Sequence, residues 1–326
     1  MSMASQDGLR LGWIGLGSMG LAMAVNIQKH LKEKALPSLK YWNRTLSRGD
    51  ILKQNDAIPC KSIGDLVQSC DTIFISVSDD EVLKTVISSI LTSGPITPKI
   101  FVDTTTVHPS TTSSISTRVH QAGASYIAAP VFGATPLAQA GQLLIAVAGP
   151  TDAIESISPF LKGVLARTVI KVGTEPEKAL LLKTTSNFIT AGLMYLLSEA
   201  HTLAAKTGLP ADVLETLVEQ NFGTYAHGGS KRLTSGAYFP AEGQAPNSGL
   251  ELGIKDVGHG VSLAKESGME LRIGQLYLDA AREAKRHGDE RERRCDSSSV
   301  FGIVRQRAGL DFETEDVKGR DAKAGQ

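Results

Sequence analysis

Short apolar runs alternate with segments of helical periodicity over the first half of the chain. The apolar runs predict strands at residues 9–15, 39–42, 72–77, 100–102, 125–129 and 143–148. Apolar positions at helical spacing predict helices at residues 19–36, 80–91, 109–122 and 151–165. Strands that alternate with helices form βαβ units around a mostly parallel sheet. The first half of the chain is therefore expected to be an α/β domain with a doubly wound sheet.

The pattern becomes entirely helical after residue 171, and we predict no strand beyond Val172. Residues 177–206 place apolar side chains at helical spacing without a proline, so they predict one long helix that joins two domains. Further helices are predicted at residues 212–220, 250–266 and 271–287, with a loop at 236–248 and a solvated charged stretch at 289–294. We expect an α/β domain at 8–173, an all-α domain at 174–310 and a disordered tail at 311–326.

The composition and net charge restrict the kinds of molecule that we expect the chain to bind. The 326 residues are 41% hydrophobic and 21% charged, with 34 basic and 34 acidic side chains, so the formal net charge is zero. We therefore expect no nucleic-acid partner, and the short apolar runs predict no membrane partner. Three scattered cysteines favour a reducing compartment. We expect a cytoplasmic protein, with a mitochondrial one left open, and no metal site, because no histidine has metal-ligand spacing.

A glycine-rich turn directly follows the first predicted strand and precedes the first predicted helix. Its six residues, Gly15, Leu16, Gly17, Ser18, Met19 and Gly20, fit the pattern G-x-G-x-x-G. In that context the glycines allow a tight turn, a close approach of a pyrophosphate, and close packing of helix on strand. We predict that the turn binds a dinucleotide, and the alternative is a glycine-rich turn without a ligand.

The end of the second predicted strand bears on which dinucleotide is bound. An NAD-binding fold usually has an acidic residue there, but this chain has Asn43, Arg44 and Thr45. A guanidinium can bind a 2′-phosphate through two hydrogen bonds, whereas a carboxylate would repel it. We therefore predict that NADP(H) is preferred and NAD(H) possible. The alternative is that Arg44 is a solvated surface residue.

Two polar residues of the long predicted helix are candidates for catalysis. Lys183 and Asn187 are four residues apart, so they project from one face of the helix. Apolar neighbours should partly desolvate the lysine, which favours general acid–base chemistry, and the amide can orient a carbonyl or hydroxyl. The alternative is a lysine that extends to solvent and an asparagine that fills a helix contact.

Five motifs occur in order along the chain. They are the glycine turn, residues 103–109 (D-T-T-T-V-H-P), residues 129–134 (A-P-V-F-G-A) followed by Ala138, Gly141 and Leu143, the pair Lys183 and Asn187, and Lys255-Asp256. Through these motifs, which stand in the family's order, residues 9–310 resemble the β-hydroxyacid dehydrogenase family. That family includes 3-hydroxyisobutyrate dehydrogenases, glyoxylate/succinic semialdehyde reductases and the related 6-phosphogluconate dehydrogenases.

This resemblance implies a Rossmann domain joined by a long helix to an all-α domain, an active site between them, and a homodimer. It implies that Lys183 is the general acid/base and that Asn187 positions the substrate oxygen. Cofactor contacts are implied for Val77, Ser78, Thr106 and Lys255, in addition to the glycine turn and residues 43–45. Substrate contacts are implied for Thr105, Thr106, Phe132, Gly133, Ala134, Lys183 and Asn187.

The chain departs from the family where the substrate carboxylate is held. The family has a serine and a second glycine at the positions of Phe132 and Ala134, while Gly133 keeps its backbone N–H. Loss of the hydroxyl makes a larger or less charged substrate plausible. The alternative is that Phe132 turns away and packs into the core.

We expect an NADP(H)-dependent oxidoreductase that acts on a small hydroxy acid or its aldehyde or ketone, with Lys183 as acid/base. One alternative is an imine reductase-like enzyme, whose relatives replace the lysine; a second is a cofactor-binding module without turnover. His227 is expected in a loop or at a helix start, and we interpret it as a structural histidine rather than as a substrate contact.

Overall fold

A computed structural model describes residues 8–324 and divides into two compact units between Lys183 and Thr184. The division falls later in the chain than the expected boundary at 173/174, inside the long helix. The N-terminal unit contains one nine-stranded sheet with helices, and the C-terminal unit is helical. The predicted fold class, a Rossmann-type α/β domain followed by an all-α domain, is confirmed.

The strands of the N-terminal unit follow one another at short intervals along the chain. They are β1 (Leu11–Ile14), β2 (Lys40–Trp42), β3 (Ile58–Pro59), β4 (Thr72–Ile75), β5 (Ile100–Asp103), β6 (Ser125–Ala128), β7 (Val131–Phe132), β8 (Leu143–Ala148) and β9 (Ala166–Gly173). Their order in the sheet is β3-β2-β1-β4-β5-β6-β8-β7, and β9 pairs with β8. The sequence pattern missed β3, β7 and β9, which are two residues long or largely exposed.

Strands β1 to β6 pair in parallel, and β8 runs antiparallel to both β6 and β7. The strand order reverses beside β1, which lies between β2 and β4. Doubly wound sheets bind ligands at the carboxyl ends of the strands on either side of such a reversal. The loops that follow β1, β2 and β4 are therefore the part of the unit to examine for a site.

Each central strand contributes to two apolar clusters by alternation. Leu11, Trp13 and Phe74 belong to one cluster, while Ile73 and Ile75 belong to the other. Both faces of a parallel sheet are covered, so its strands are apolar at consecutive positions. The helices of this unit are α1 (Ser18–Glu33), α2 (Asp50–Gln54), α3 (Ile63–Ser69), α4 (Asp80–Leu91), α5 (Pro109–Gln121), α6 (Thr135–Gln139) and α7 (Thr151–Ile157).

The long helix α8 runs from Glu177 to Thr207, in agreement with the helix predicted at 177–206. It begins in the N-terminal unit, whereas the expected boundary at 173/174 placed all of it in the all-α domain. The remaining helices are α9 (Ala211–Thr234), α10 (Leu250–Glu266), α11 (Arg272–Asp289), α12 (Val300–Arg307) and α13 (Glu315–Ala324). Helix α9 is longer than the predicted segment at 212–220. It continues through a kink at Gly223, whose φ of +80° favours glycine.

Residues 311–324 are folded, so the predicted disordered tail is wrong for this segment. Phe312 and Val317 are fully buried, and the Phe312 ring stacks on His287 at a centroid distance of 3.7 Å. Two apolar side chains in an otherwise polar segment do not by themselves predict a folded helix, because the residues that bury them lie elsewhere in the chain. Residues 325–326 of the predicted tail lie outside the described residues.

The charged stretch at 289–294 begins at the last residue of α11 and is exposed, as predicted, except for the half-buried Arg293. The Arg293 guanidinium lies 3.8 Å from the centre of the Phe239 ring and donates a 2.7 Å hydrogen bond to Asp321. An arginine can cover an aromatic face and bind a carboxylate at the same time. Arg293 therefore joins the loop after α9 to α13.

Helix α8 is also the one helix within residues 8–324 that is long and apolar enough to cross a membrane by length and composition. Only a third of its most apolar 18-residue window is buried. The same test is passed by core helices of proteins that never enter a membrane. Part of the apolar surface of α8, including Ile189, Leu196 and Leu203, is exposed.

Candidate functional site

The glycine turn between β1 and α1 has no room for a side chain at its first and third glycines. Gly15 has a φ of +96°, and a Cβ atom there would lie 2.1 Å from the carbonyl oxygen of Ser76. A Cβ atom at Gly20 would lie 2.4 Å from the carbonyl oxygen of Gly15. A Cβ atom at Gly17 would meet no atom within 4 Å. The first and third glycines therefore serve packing, and the second leaves open space in front of the backbone.

This open space lies at the N-terminus of α1, which is suited to an anion. Helix α1 begins at Ser18, and its N-cap residue, Gly17, makes no side-chain capping hydrogen bond. No acidic residue occupies the first turn, where Ser18 is exposed and Met19 half-buried. Unbonded N–H groups and the positive end of the helix dipole favour a phosphate. The residues present therefore fit the pyrophosphate of a dinucleotide.

Asn43 at the end of β2 holds the glycine turn in place. Its Oδ1 accepts a 2.9 Å hydrogen bond from the backbone N–H of Leu16, and its Nδ2 donates a 2.7 Å bond to the carbonyl of Thr45. The backbone N–H of Gly15 also donates to the carbonyl of Trp42. Arg44 and Thr45 are exposed beside this turn. Asn43 thus has a structural partner on each side of its amide, while the Arg44 guanidinium faces solvent.

The loops after β4 and β5 are joined by Thr105. Its buried hydroxyl accepts a 3.2 Å hydrogen bond from the backbone N–H of Val77. Ser78 is exposed and donates to Asp79, which caps α4, and Thr106 is half-buried. The structure therefore gives Thr105 a bracing contact, and its role toward substrate stays a prediction, as do those of Val77, Ser78 and Thr106.

A buried carboxyl behind these loops was not predicted. Asp103 is 1% exposed, accepts a 2.7 Å hydrogen bond from the Tyr126 hydroxyl, and accepts a second bond from the backbone N–H of Thr105. Burial raises the pKa of Asp103 to about 6, against the opposing effect of these hydrogen bonds. An acidic residue at the end of an apolar strand was the only signal that the sequence carried for it.

Lys183 lies beside the aromatic ring of Phe132 in the N-terminal unit. Its Nζ is 5.0 Å from the ring centre, and both residues are half-buried. The preceding turn of α8 buries Ala179 and Leu180 in the same apolar cluster that Phe132 packs against. The contact places an ammonium on an aromatic face, where the ring quadrupole attracts it. Phe132 does not turn wholly into the core, and the exposed Gly133 and Ala134 follow it.

Asn187 is oriented by a carboxylate of the C-terminal unit. Its Nδ2 donates a 2.8 Å hydrogen bond to Oδ2 of Asp256, and Oδ1 of Asp256 lies 3.0 Å from Nζ of Lys255. Since the carboxylate engages the NH₂ group, the amide oxygen is the atom that this contact leaves to accept a further hydrogen bond. The sequence predicted Asn187 and Lys255, but not the contact that Asp256 makes with the asparagine.

His227 lies four residues after the kink of α9 at Gly223, near the start of the helical segment that follows it, in agreement with the predicted helix start. The imidazole is buried, with Nε2 3.3 Å from Glu215 and Nδ1 3.1 Å from Glu219. Both carboxylates belong to the segment of α9 before the kink. The interpretation as a structural histidine is the one these contacts favour. Within residues 8–324, no group of three or more His, Cys, Asp or Glu residues could hold a metal ion.

A family model described as the NAD binding domain of 6-phosphogluconate dehydrogenase matches residues 10–173. The chain is 28% identical over 302 residues to the NADH-dependent oxidoreductase ucdB of Aspergillus ustus, covering 91% of this chain and 99% of that protein. It is 27% identical over 299 residues to glyoxylate/succinic semialdehyde reductase 1 of Arabidopsis thaliana, covering 86% of this chain and 100% of that protein.

The fold is similar to that of the Mycobacterium tuberculosis 3-hydroxyisobutyrate dehydrogenase, solved with L-serine. The TM-score is 0.77 at 20% sequence identity, over 91% of this chain and 99% of that one. At this identity the likeness concerns the architecture and not the substrate.

Proposed function

Because the chain belongs to the family of 6-phosphogluconate dehydrogenase-type NAD-binding proteins that includes the 3-hydroxyisobutyrate dehydrogenases, we propose that it is a β-hydroxyacid dehydrogenase-like oxidoreductase. The reaction interconverts a hydroxyl-bearing substrate and its aldehyde or ketone counterpart. The proposal rests on one observation. The N-terminal unit contains both a glycine turn that is suited to bind an anion and the half-buried Lys183.

In this mechanism the nicotinamide, when bound, supplies or accepts the hydride. Residues 15–20 would hold the pyrophosphate through backbone N–H groups, and Lys255 would be a further cofactor contact. In the reducing direction, the Lys183 ammonium donates a proton to the carbonyl oxygen as negative charge develops on it. In the oxidising direction the neutral amine removes that proton.

Asn187 orients the reacting oxygen. With its Nδ2 engaged by Asp256, its Oδ1 accepts a hydrogen bond from the substrate hydroxyl in the oxidising direction. A fixed amide holds the reacting atoms in a productive geometry, so less orientational entropy is lost at each turnover. Asp256 is accordingly a positioning residue in this proposal.

The enzyme prefers NADP(H) in our proposal, because Arg44 is exposed beside the glycine turn and no carboxylate stands among residues 43–45. A guanidinium–phosphate pair is a charge-assisted, bidentate contact. Arg44→Asp is expected to raise KM for NADPH roughly 10- to 100-fold with a much smaller change for NADH. Lys53→Asp, an exposed charge reversal on α2, serves as the control. An unchanged KM for NADPH would contradict the preference.

The catalytic proposal is tested by following NADPH and NADH absorbance with panels of aldehydes, β-keto acids and cyclic imines. Lys183→Ala is expected to lower kcat about 10²- to 10⁴-fold while cofactor affinity, measured by fluorescence titration, stays unchanged. Lys178→Ala, in the first turn of α8 and ion-paired at 2.9 Å with Glu175, is the matched control. Tight cofactor binding without turnover on any panel would favour a non-catalytic module, and turnover of imines alone an imine reductase-like enzyme.

We also propose that the chain is a homodimer. Ile189, Leu196 and Leu203 recur every seven residues along α8 and are each about 60% exposed. Such a stripe is the seam that a second helix covers. Charged and polar residues within the helix, such as Glu199 and His201, favour a second copy over a lipid environment. Leu196→Glu should convert a dimer to a monomer by light scattering, whereas a wild-type monomer, or co-sedimentation with phosphatidylcholine vesicles, would overturn the proposal.

A further inference from the structure

We propose that Phe132 determines substrate specificity, and that the enzyme selects an uncharged carbonyl substrate with an aromatic or bulky apolar substituent over one that carries a carboxylate. The inference rests on the proposed function and names the substrate class of that same site. It is carried by the contact between the Phe132 ring and Lys183, the proposed acid/base.

The segment that leads into this contact has no polar side chain. Residues 130–134 are Pro, Val, Phe, Gly and Ala, so only main-chain groups could donate a hydrogen bond to a substrate there. The surface continues into Leu137, which is 46% exposed and packs on Gly133. We call Phe132, Ala134 and Leu137 the apolar rim. Thr135, between Ala134 and Leu137, is half-buried, and its hydroxyl donates to Sδ of Met19 at 3.8 Å. A carboxylate placed on the apolar rim would therefore lose its hydration and gain no neutral side-chain donor that is not already engaged, which is costly.

The ring also opposes a carboxylate electrostatically. The face of Phe132 carries the negative part of the ring quadrupole, and the Lys183 ammonium, with Nζ 5.0 Å from the ring centre, already lies against it. A substrate anion over the same ring would be repelled by the quadrupole. Its nearest counter-charge would be the ammonium that must instead give its proton to the reacting oxygen.

An aromatic or apolar substituent meets none of these costs. It can stack on the exposed part of the half-buried Phe132 ring and cover the apolar rim while its carbonyl oxygen faces Lys183. Apolar burial then contributes to binding in proportion to the area covered. The reacting group and the selecting group of the site are therefore adjacent, so a change of one ring should alter selectivity more than it alters the chemistry.

The experiment compares 3-phenylpropanal with succinic semialdehyde, which differ in bearing a phenyl ring or a carboxylate, as substrates for NADPH-dependent reduction. The wild-type kcat/KM is expected to be at least tenfold higher for 3-phenylpropanal. Phe132→Ser should shift the ratio of the two kcat/KM values toward succinic semialdehyde by tenfold or more. Phe132→Leu, which keeps apolar bulk and is a safer variant for folding, should retain most of the wild-type ratio.

Calorimetry on the NADPH-saturated protein provides a readout other than turnover. The unreactive amides 3-phenylpropanamide and succinamate should bind in the same order of affinity as the aldehydes react, and Phe132→Ser should bring the two affinities together. Ile170→Ser, an exposed apolar-to-serine change on β9, is the control and should leave both ratios unchanged.

The outcomes separate the two proposals. A wild-type enzyme that prefers succinic semialdehyde, or a ratio that Phe132→Ser does not move, overturns the inference and leaves the oxidoreductase standing. An absence of turnover with every aldehyde, keto acid and imine overturns the proposed function and this inference with it.

Discussion

The two units position their functional groups by different means. In the N-terminal unit the glycine turn is fixed mainly by main-chain geometry, with Gly15 bonded to the carbonyl of Trp42, and the Asn43 amide adds one bond to Leu16. In the C-terminal unit side chains perform this task, as where Asp256 accepts a hydrogen bond from Asn187. Elsewhere in that unit, buried Asp296 accepts from Arg232 and from the backbone N–H of Ser248. The sheet unit should therefore be sensitive to changes of backbone, and the helical unit to the loss of single polar side chains.

The largest effect is expected from Asp296 in the helical unit. Its fully buried carboxylate also accepts hydrogen bonds from the Ser298 backbone and hydroxyl, so Asp296→Ala leaves the Arg232 charge without its partner. Removing one partner of a buried pair costs about 3–5 kcal/mol of unfolding free energy. Asp289→Ala, which breaks an exposed pair with Lys285, should cost less than about 1 kcal/mol. Urea unfolding measures both free energies, and equal losses would show that the buried polar network of Asp296 does not stabilise the helical unit more than an exposed ion pair does.

A smaller effect, dependent on pH, is expected from Asp103 in the sheet unit. Its pKa is raised from 3.8 to about 6 by burial, so the native state disfavours the ionised carboxyl. The contribution of the protonated carboxyl to the free energy of unfolding is fully present below about pH 4, and it is lost as the pH rises through about 6. At about 1.36 kcal/mol per pKa unit, the loss reaches about 3 kcal/mol.

Asp103→Asn removes this titration while keeping an acceptor for the Thr105 N–H. The variant's unfolding free energy relative to the wild type should therefore rise by up to about 3 kcal/mol between pH 4 and pH 7, measured in urea. A difference that is constant over this range would show that the native carboxyl titrates normally.

The smallest and most specific effect separates two glycines of the same turn. Gly17→Ala should leave stability within about 1 kcal/mol of wild type, because its φ is −67° and the added Cβ meets no atom. It should still weaken NADPH binding about tenfold, because the methyl group occupies the space of the pyrophosphate. Gly15→Ala should instead destabilise the fold by about 1–3 kcal/mol. Fluorescence titration and thermal unfolding check the pair, and similar effects of both variants would contradict it.

Much of the fold could be predicted from the sequence because its signals are local. Strands buried on both faces are continuous apolar runs, so β1, β4 and β8 are visible, and α8 is visible as a long stretch without proline. Short or exposed strands such as β3 and β9 give no such run and were missed. The kink of α9 at Gly223 and the packing of Phe312 on His287 also depend on residues distant in sequence.

In the candidate site, too, some features could be predicted from the sequence and others could not. The spacing of Gly15, Gly17 and Gly20 was informative by itself, because a tight turn and a phosphate impose steric requirements that only glycine meets. Residue types and spacing made Lys183 and Asn187 candidates, and the family resemblance supplied the roles predicted for them. Only the tertiary structure placed Phe132 against that lysine and Asp256 on that asparagine, since these contacts join residues 51 and 69 positions apart in the sequence. The backbone conformation that a glycine allows can be predicted from neighbouring residues, whereas the partner of a side chain depends on how distant segments pack together.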